Sequence, residues 1–196
     1  MTEKIIIITA PSGAGKSSIA HRLLSRHADK LAFSISAATR SPRRDEQDGV
    51  DYYFLSIHDF REKIEQEQFI EWEMVYEGKY YGTLKSELSR IWAMGKVPVL
   101  DIDVKGAIHV QKQFEGSALS IFIEPPSLDA LETRLRGRNT ETPESLSTRL
   151  SKAQYEISFK GHFDKIVVND QLESACIQTE KHILDFIQLP NQPKAY

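Results

Sequence analysis

Apolar positions in this chain gather into short runs, and amphipathic stretches separate them. The first run contains four consecutive isoleucines, Ile5–Ile8, which read as a strand covered on both faces, as in a parallel sheet. With its flanks this strand spans 4–9, and further β-branched, apolar runs near 97–102, 118–124 and 165–169 predict strands of the same kind. Between the runs the apolar spacing is helical. After Lys16, for example, Ile19, Ala20, Leu23 and Leu24 form one stripe. Strands that alternate with helices predict an α/β fold with a parallel-sheet core flanked by helices.

The texture changes between Ala37 and Ser86, where polar, aromatic and charged residues surround short strand-like pieces at Tyr52–Leu55 and Phe69–Val75. This predicts a subdomain inserted at 37–83 into a core made of 1–36 and 84–190, all within a single domain spanning 1–196. A second irregular piece, GRNTETPES from Gly137 to Ser145, joins two helical patterns. Thr142, Pro143 and Glu144 suit a helix start, with proline in the first turn and an acid near the N-terminus. The piece reads as a short connection, a lid near 137–147. No internal repeat is present, and the LPNQPKAY end reads as a frayed tail.

Composition sets outer bounds. A chain of 196 residues with 40% hydrophobic content suits one main domain. Neither a membrane-length apolar segment nor a signal-peptide pattern stands at the N-terminus, so the cytoplasm is the expected location. The net charge of −3 argues against nonspecific nucleic-acid binding. The single cysteine, Cys176, has no internal disulfide partner and suits a small buried position in a helix. The six histidines, among them His58 and His162 at expected loop or helix ends, show no metal-site spacing, and none is assigned to catalysis.

Candidate chemistry begins directly after the isoleucine run. Ala10, Pro11, Ser12, Gly13, Ala14, Gly15, Lys16, Ser17 and Ser18 stand between the first strand and the first helix. Gly13 and Gly15 allow a tight turn that points backbone N–H groups at phosphate oxygens, and the helix adds its positive N-terminus. Lys16 is then expected at the β- and γ-phosphates and Ser17 at Mg²⁺. The sequence departs from G-x-x-x-x-G-K-[ST] only in having Ala10 for the first glycine, a position that ordinary backbone angles can satisfy. A glycine-bearing turn with a solvated lysine is the plainer reading, but the order strand, loop, helix favours the cradle. Such cradles serve motors, switches and kinases, so Lys16 does not name the reaction.

A second anion site is suggested by Arg40 and Arg43, which a turn broken at Pro42 would let converge on one phosphate. Tyr52 is placed to add a hydroxyl, and Glu46 to hold an arginine. From this segment alone, a solvated basic loop is an equally good reading.

Taken together, APSGAGKS, SISAATRSPR, DYYF, FIEW, YYGT, LDID, RLRGRNTETPES and VVND make the chain resemble guanylate kinase over nearly its whole length. The resemblance implies a P-loop core with an inserted GMP-binding subdomain and a lid. It also implies transfer of the γ-phosphate of ATP to GMP, with Mg²⁺ as cofactor. By the same resemblance Lys16 and Ser17 serve ATP and Mg²⁺, and Asn169 and Asp170 stand on the adenine side. Ser36, Arg40, Arg43, Tyr52 and Tyr81 surround the GMP phosphate, while Glu71, Thr83 and Asp103 face the guanine. Arg134 and Arg138, one helical turn apart, clamp the transferring phosphate with Arg149. Asp101, closing an apolar strand, holds a magnesium-bound water, and Asp103 is read as lying on the same strand. Tyr80 is expected to be a packing residue. The sequence does not specify the sugar, so dGMP stands beside GMP as an acceptor.

Two positions depart from the family pattern. The chain is one residue longer between Glu71 and YYGT than the common spacing, and Asn139 stands where glycine is usual in the lid. Two other readings of the residues exist. A binding module that captures a phosphorylated peptide would have a degraded cradle, and Lys16 and Ser17 are present. A kinase for another phosphorylated small molecule would lack the guanine-facing acid, and Glu71 is present.

Overall fold

The computed structural model describes residues 3–43, 45–137 and 143–189. The chain runs through β1 (Ile5–Thr9), α1 (Lys16–Arg26) and β2 (Leu31–Phe33). It then builds β3 (Ala37–Ala38), β4 (Tyr53–Phe54), α2 (Ile57–Glu65), β5 (Phe69–Tyr76) and β6 (Lys79–Leu84). After α3 (Lys85–Ala93) come β7 (Val97–Asp101), α4 (Val104–Gln113), β8 (Ala118–Glu124) and α5 (Leu128–Arg136). The last elements are α6 (Pro143–Ile157), β9 (Lys165–Val168) and α7 (Leu172–Gln188).

The main sheet has five parallel strands in the order β2-β7-β1-β8-β9. Its central strand is the isoleucine run, and all four isoleucines are 0% exposed. Alternation along the strand sends them into two separate cores. Ile6 and Ile8 pack with Ile19 and Leu23 of α1 and with Cys176 and Ile183 of α7. Ile5 and Ile7 pack with Leu88 of α3, with Val104 and Val110 of α4, and with Phe122. Burying each isoleucine contributes about 1.5–3 kcal/mol, which is why both faces of this strand are apolar. Cys176 is buried, as expected for a small apolar position. β2 has no counterpart among the expected strands: three residues pairing only with β7 are too few to show a period. Among the described residues, no helix is long and apolar enough to cross a membrane.

A second sheet, in the order β4-β3-β6-β5, pairs β3 parallel to β4 and antiparallel to β6, and β5 antiparallel to β6. One face packs on α2, where Phe60 stacks between Phe69, with centroids 4.3 Å apart, and Tyr80, at 5.4 Å. Tyr80 is thus a packing residue. Two register shifts interrupt β5. Phe69 pairs with Leu84 but Glu71 with Thr83, and Met74 pairs with Tyr80 but Tyr76 with Lys79. Ile70 and Val75 are therefore extra residues, and such bulges re-aim neighbouring side chains. At the first, Phe69 enters the α2 core, while Ile70 enters the main core beside Ile5 and Ile7.

Glu87, 2% exposed, links the two sheets. Its carboxylate accepts from the Ile35 amide at 3.0 Å, the Tyr53 hydroxyl at 2.8 Å, and Arg90 Nε and Nη2 at 2.8 and 2.6 Å. Burial alone would raise its pKa, but hydrogen bonds from Arg90, Ile35 and Tyr53 outweigh it and hold the carboxyl below its ordinary value. Glu87→Ala is expected to cost about 1–3 kcal/mol, read as a lower urea midpoint, because two half-buried donors, Ile35 N and the Tyr53 hydroxyl, lose their acceptor. An unchanged midpoint would mean that water replaces the carboxylate without loss.

Candidate active site

The loop after β1 has the geometry of an anion cradle. Gly13 and Gly15 adopt φ of 93° and 95°, a region that side chains other than glycine's seldom enter. A Cβ on Gly15 would also overlap Asn169 Nδ2. Ala10, by contrast, is not among the residues with positive φ, so alanine serves there without strain. The start of α1 has no capping side chain and no acid in its first turn, which leaves its first N–H groups and positive dipole end facing the loop. Ala14 N donates to Pro11 O at 3.1 Å, and Ser12 Oγ accepts from Arg149 Nη1 of α6 at 3.0 Å. Ser17 and Ser18 are exposed.

Register brings acids to this loop. Ile8 of β1 pairs with Asp101 of β7, so the strand ends lie side by side, and Lys16 forms an ion pair with Asp101. Asp103 is not on that strand. β7 ends at Asp101, and Asp103 caps α4 by accepting from Gly106 N at 2.8 Å, because an aspartate before a helical run satisfies an open N–H. The reading of both aspartates as strand residues is therefore replaced by a strand end followed by a cap.

Asn169 points to the cradle: 4% exposed, it donates from Nδ2 to Ala14 O at 2.7 Å and so braces the loop. Asp170 is exposed beside it. Arg134 donates to the carbonyls of Asn169 and Asp170 at 2.8 and 3.2 Å. α5 ends at Arg136, and Arg138, like Asn139, lies outside the described residues.

Across the cleft, Glu46 holds Arg40 in a two-pronged pair at 2.5 and 2.7 Å and accepts from Arg43 N at 2.8 Å. The arginine bonds, Arg40 first, lower the Glu46 pKa to about 2. The Arg40 guanidinium lies 4.7 Å from the centre of the Tyr52 ring, and Tyr81 meets that ring edge-on with centroids 6.2 Å apart. Arg43 is exposed, and Ser36 is half-buried.

The cleft-facing side of β5 and β6 carries the remaining candidates. Glu71 and Thr83 are paired across the strands, and the Thr83 hydroxyl donates to Glu71 Oε1 at 2.6 Å. Burial raises the Glu71 pKa to about 7 despite that bond. Two residues on, Glu73 pairs with Tyr81 and shares a hydrogen bond with Asp103, which together with burial raises Glu73 to about 7. A cavity of about 550 Å³ adjoins these acids, lined by Glu71, Glu73, Lys105 and His109 among others. Sequence reading had not singled out Glu73; its signal was the two-residue spacing from Glu71, which puts both on one strand face.

Comparison with known proteins gives one consistent picture. A family model described as guanylate kinase matches residues 2–185. The guanylate kinase of Bacteroides fragilis is 46% identical over 189 residues, covering 96% of this chain and 92% of that protein. That of Schizosaccharomyces pombe is 42% identical over 180 residues, covering 90% of this chain and 88% of its own. The crystal structure of guanylate kinase from Anaplasma phagocytophilum superposes with a TM-score of 0.74 at 29% identity, covering 95% of this chain and 87% of that one.

Proposed function

This chain belongs to the guanylate kinase family, whose members transfer the γ-phosphate of ATP to GMP, and we propose how its own residues divide that work. The observation that carries the division is the pair of strand ends. The Lys16–Asp101 pair closes the cradle side, while the Glu71–Thr83 pair stands on the other sheet. ATP phosphates lie on the loop from Ala10 to Ser18, with Lys16 turning from Asp101 to the β- and γ-phosphates. Arg149, already on Ser12, and Arg134 supply positive charge to the transferring group.

GMP takes the other side. Arg40, Arg43, Tyr52 and Tyr81 hold its phosphate, with Ser36 beside them, and Glu71 and Thr83 read its base. Phosphoryl transfer asks the protein mainly for alignment and charge neutralisation, and these groups supply both without a covalent intermediate. Mg²⁺ fits the cradle: the Ser17 hydroxyl and the Asp101 carboxylate are hard oxygen donors of the kind it prefers. When bound, it neutralises phosphate charge. A coupled ADP-release assay with a panel of nucleoside monophosphates tests the reading, and GMP should be turned over in preference to AMP, CMP and UMP.

The Arg40–Glu46 pair makes the two arginines unequal. Removing Arg43 takes one charge from the phosphate site, and Arg43→Ala should weaken GMP about tenfold. Removing Arg40 also leaves the Glu46 carboxylate uncompensated near a phosphate, and Arg40→Ala should weaken GMP roughly 100-fold. ATP affinity should barely move in either variant. Calorimetry showing ATP as the weakened ligand would reverse the assignment of the two subsites.

A further inference from the structure

We propose that Glu73 is a sugar-reading residue, accepting a hydrogen bond from the ribose 2′-hydroxyl of the acceptor nucleotide and so favouring GMP over dGMP. The inference rests on the proposed placement of base and phosphate, and it follows from the ladder between β5 and β6. Directly paired residues of an antiparallel ladder share a face, and successive residues of one strand alternate. Glu71 with Thr83, and Glu73 with Tyr81, are two such pairs on one face. The opposite face carries Trp72 and Tyr80, whose rings are 6.2 Å apart.

The two pairs stand about 7 Å apart along the strands, the rise of two residues. The first pair belongs to the base and the second, through Tyr81 against Tyr52 and Arg40, to the phosphate. A nucleoside monophosphate has only its sugar between those two groups. Glu73 is the polar side chain that β5 presents at that level, and its carboxyl is half-buried and held by Asp103. A carboxylate is a natural acceptor for a ribose hydroxyl. Asp103 is itself fixed by Gly106 N at the start of α4, so the Glu73 carboxyl is held between β5 and the start of α4.

The test compares kcat/KM for GMP and dGMP in the unmodified enzyme, Glu73→Gln and Glu73→Ala. The unmodified enzyme should prefer GMP about tenfold, the worth of one hydrogen bond. Glu73→Ala should bring that ratio close to one, chiefly by lowering the GMP value, and Glu73→Gln, which keeps an acceptor oxygen, should lie between. A merely structural role would lower both substrates by the same factor, and that result overturns the proposal. So does a GMP-to-dGMP ratio that Glu73→Ala leaves unchanged. An unmodified enzyme that takes AMP as readily as GMP overturns the base assignment instead, and this inference with it.

Discussion

Glu71→Gln should lower kcat/KM for GMP by about 10³ or more and collapse the preference for GMP over AMP. Guanine presents N1–H and N2–H, two donors that a carboxylate accepts together, and Thr83 can turn its one hydroxyl hydrogen from Glu71 to O6. Adenine offers an unprotonated N1 and no N2 amino group, leaving a buried acceptor unpaired. A site built on such bonds reaches discrimination of about 10⁴. The amide of glutamine would turn a donor toward N1–H. Thr83→Ala should act in the same direction but more mildly, since it removes one neutral bond. Burial sets the Glu71 pKa near 7, so the free protein holds the acid form below that pH. The carboxylate is the accepting form. GMP binding should therefore strengthen as pH rises from 6 to 8 and release protons, apart from the titration of the nucleotide's own phosphate near pH 6. Calorimetry in buffers of different ionisation enthalpy reads that release. A base preference untouched by Glu71→Gln would remove Glu71 from the base, whereas a pH dependence that persists in it beyond the phosphate's own would belong to Glu73, which is raised to the same range.

Lys16→Ala should lower turnover by about 10²–10³ while GMP affinity stays within a few-fold of its original value. Two effects add. The cation that would meet the β- and γ-phosphates is gone, and Asp101, its partner, becomes an uncompensated negative charge at the cradle. A double substitution, Lys16→Ala with Asp101→Asn, separates them: ATP affinity should recover in part, and turnover should not. Equal loss of ATP and GMP binding in the single variant would instead indicate a folding defect.

The parallel core was legible because its strongest signal is also its physics. A strand buried on both faces must be apolar at every position, and Ile5–Ile8 is. The cradle was legible for a similar reason, since positive φ at Gly13 and Gly15 restricts what can stand there. What could not be read are features that depend on where a strand stops. Asp101 and Asp103 share a two-residue spacing that suits a strand, but the chain turns into α4 between them, and only the cap at Asp103 records the turn. Asn169 was expected from the family resemblance to face adenine; its tie to Ala14 O, 155 positions away, has no local signal. The Glu87 hub is equally nonlocal in its bonds to Ile35 and Tyr53, 52 and 34 positions away.

The bulge at Val75 shows how this hairpin can hold an extra residue without turning its faces over. Faces on a strand follow odd and even positions, so a plain insertion between Glu71 and Tyr81 would exchange them, turning Trp72 and Met74 toward the nucleotide. Because the surplus is confined to a single unpaired position beyond Met74, the odd–even order of Glu71 and Glu73 against Thr83 and Tyr81 is preserved. The tip of this hairpin is therefore where a strand pair can gain or lose length in ones without rewriting the cleft surface.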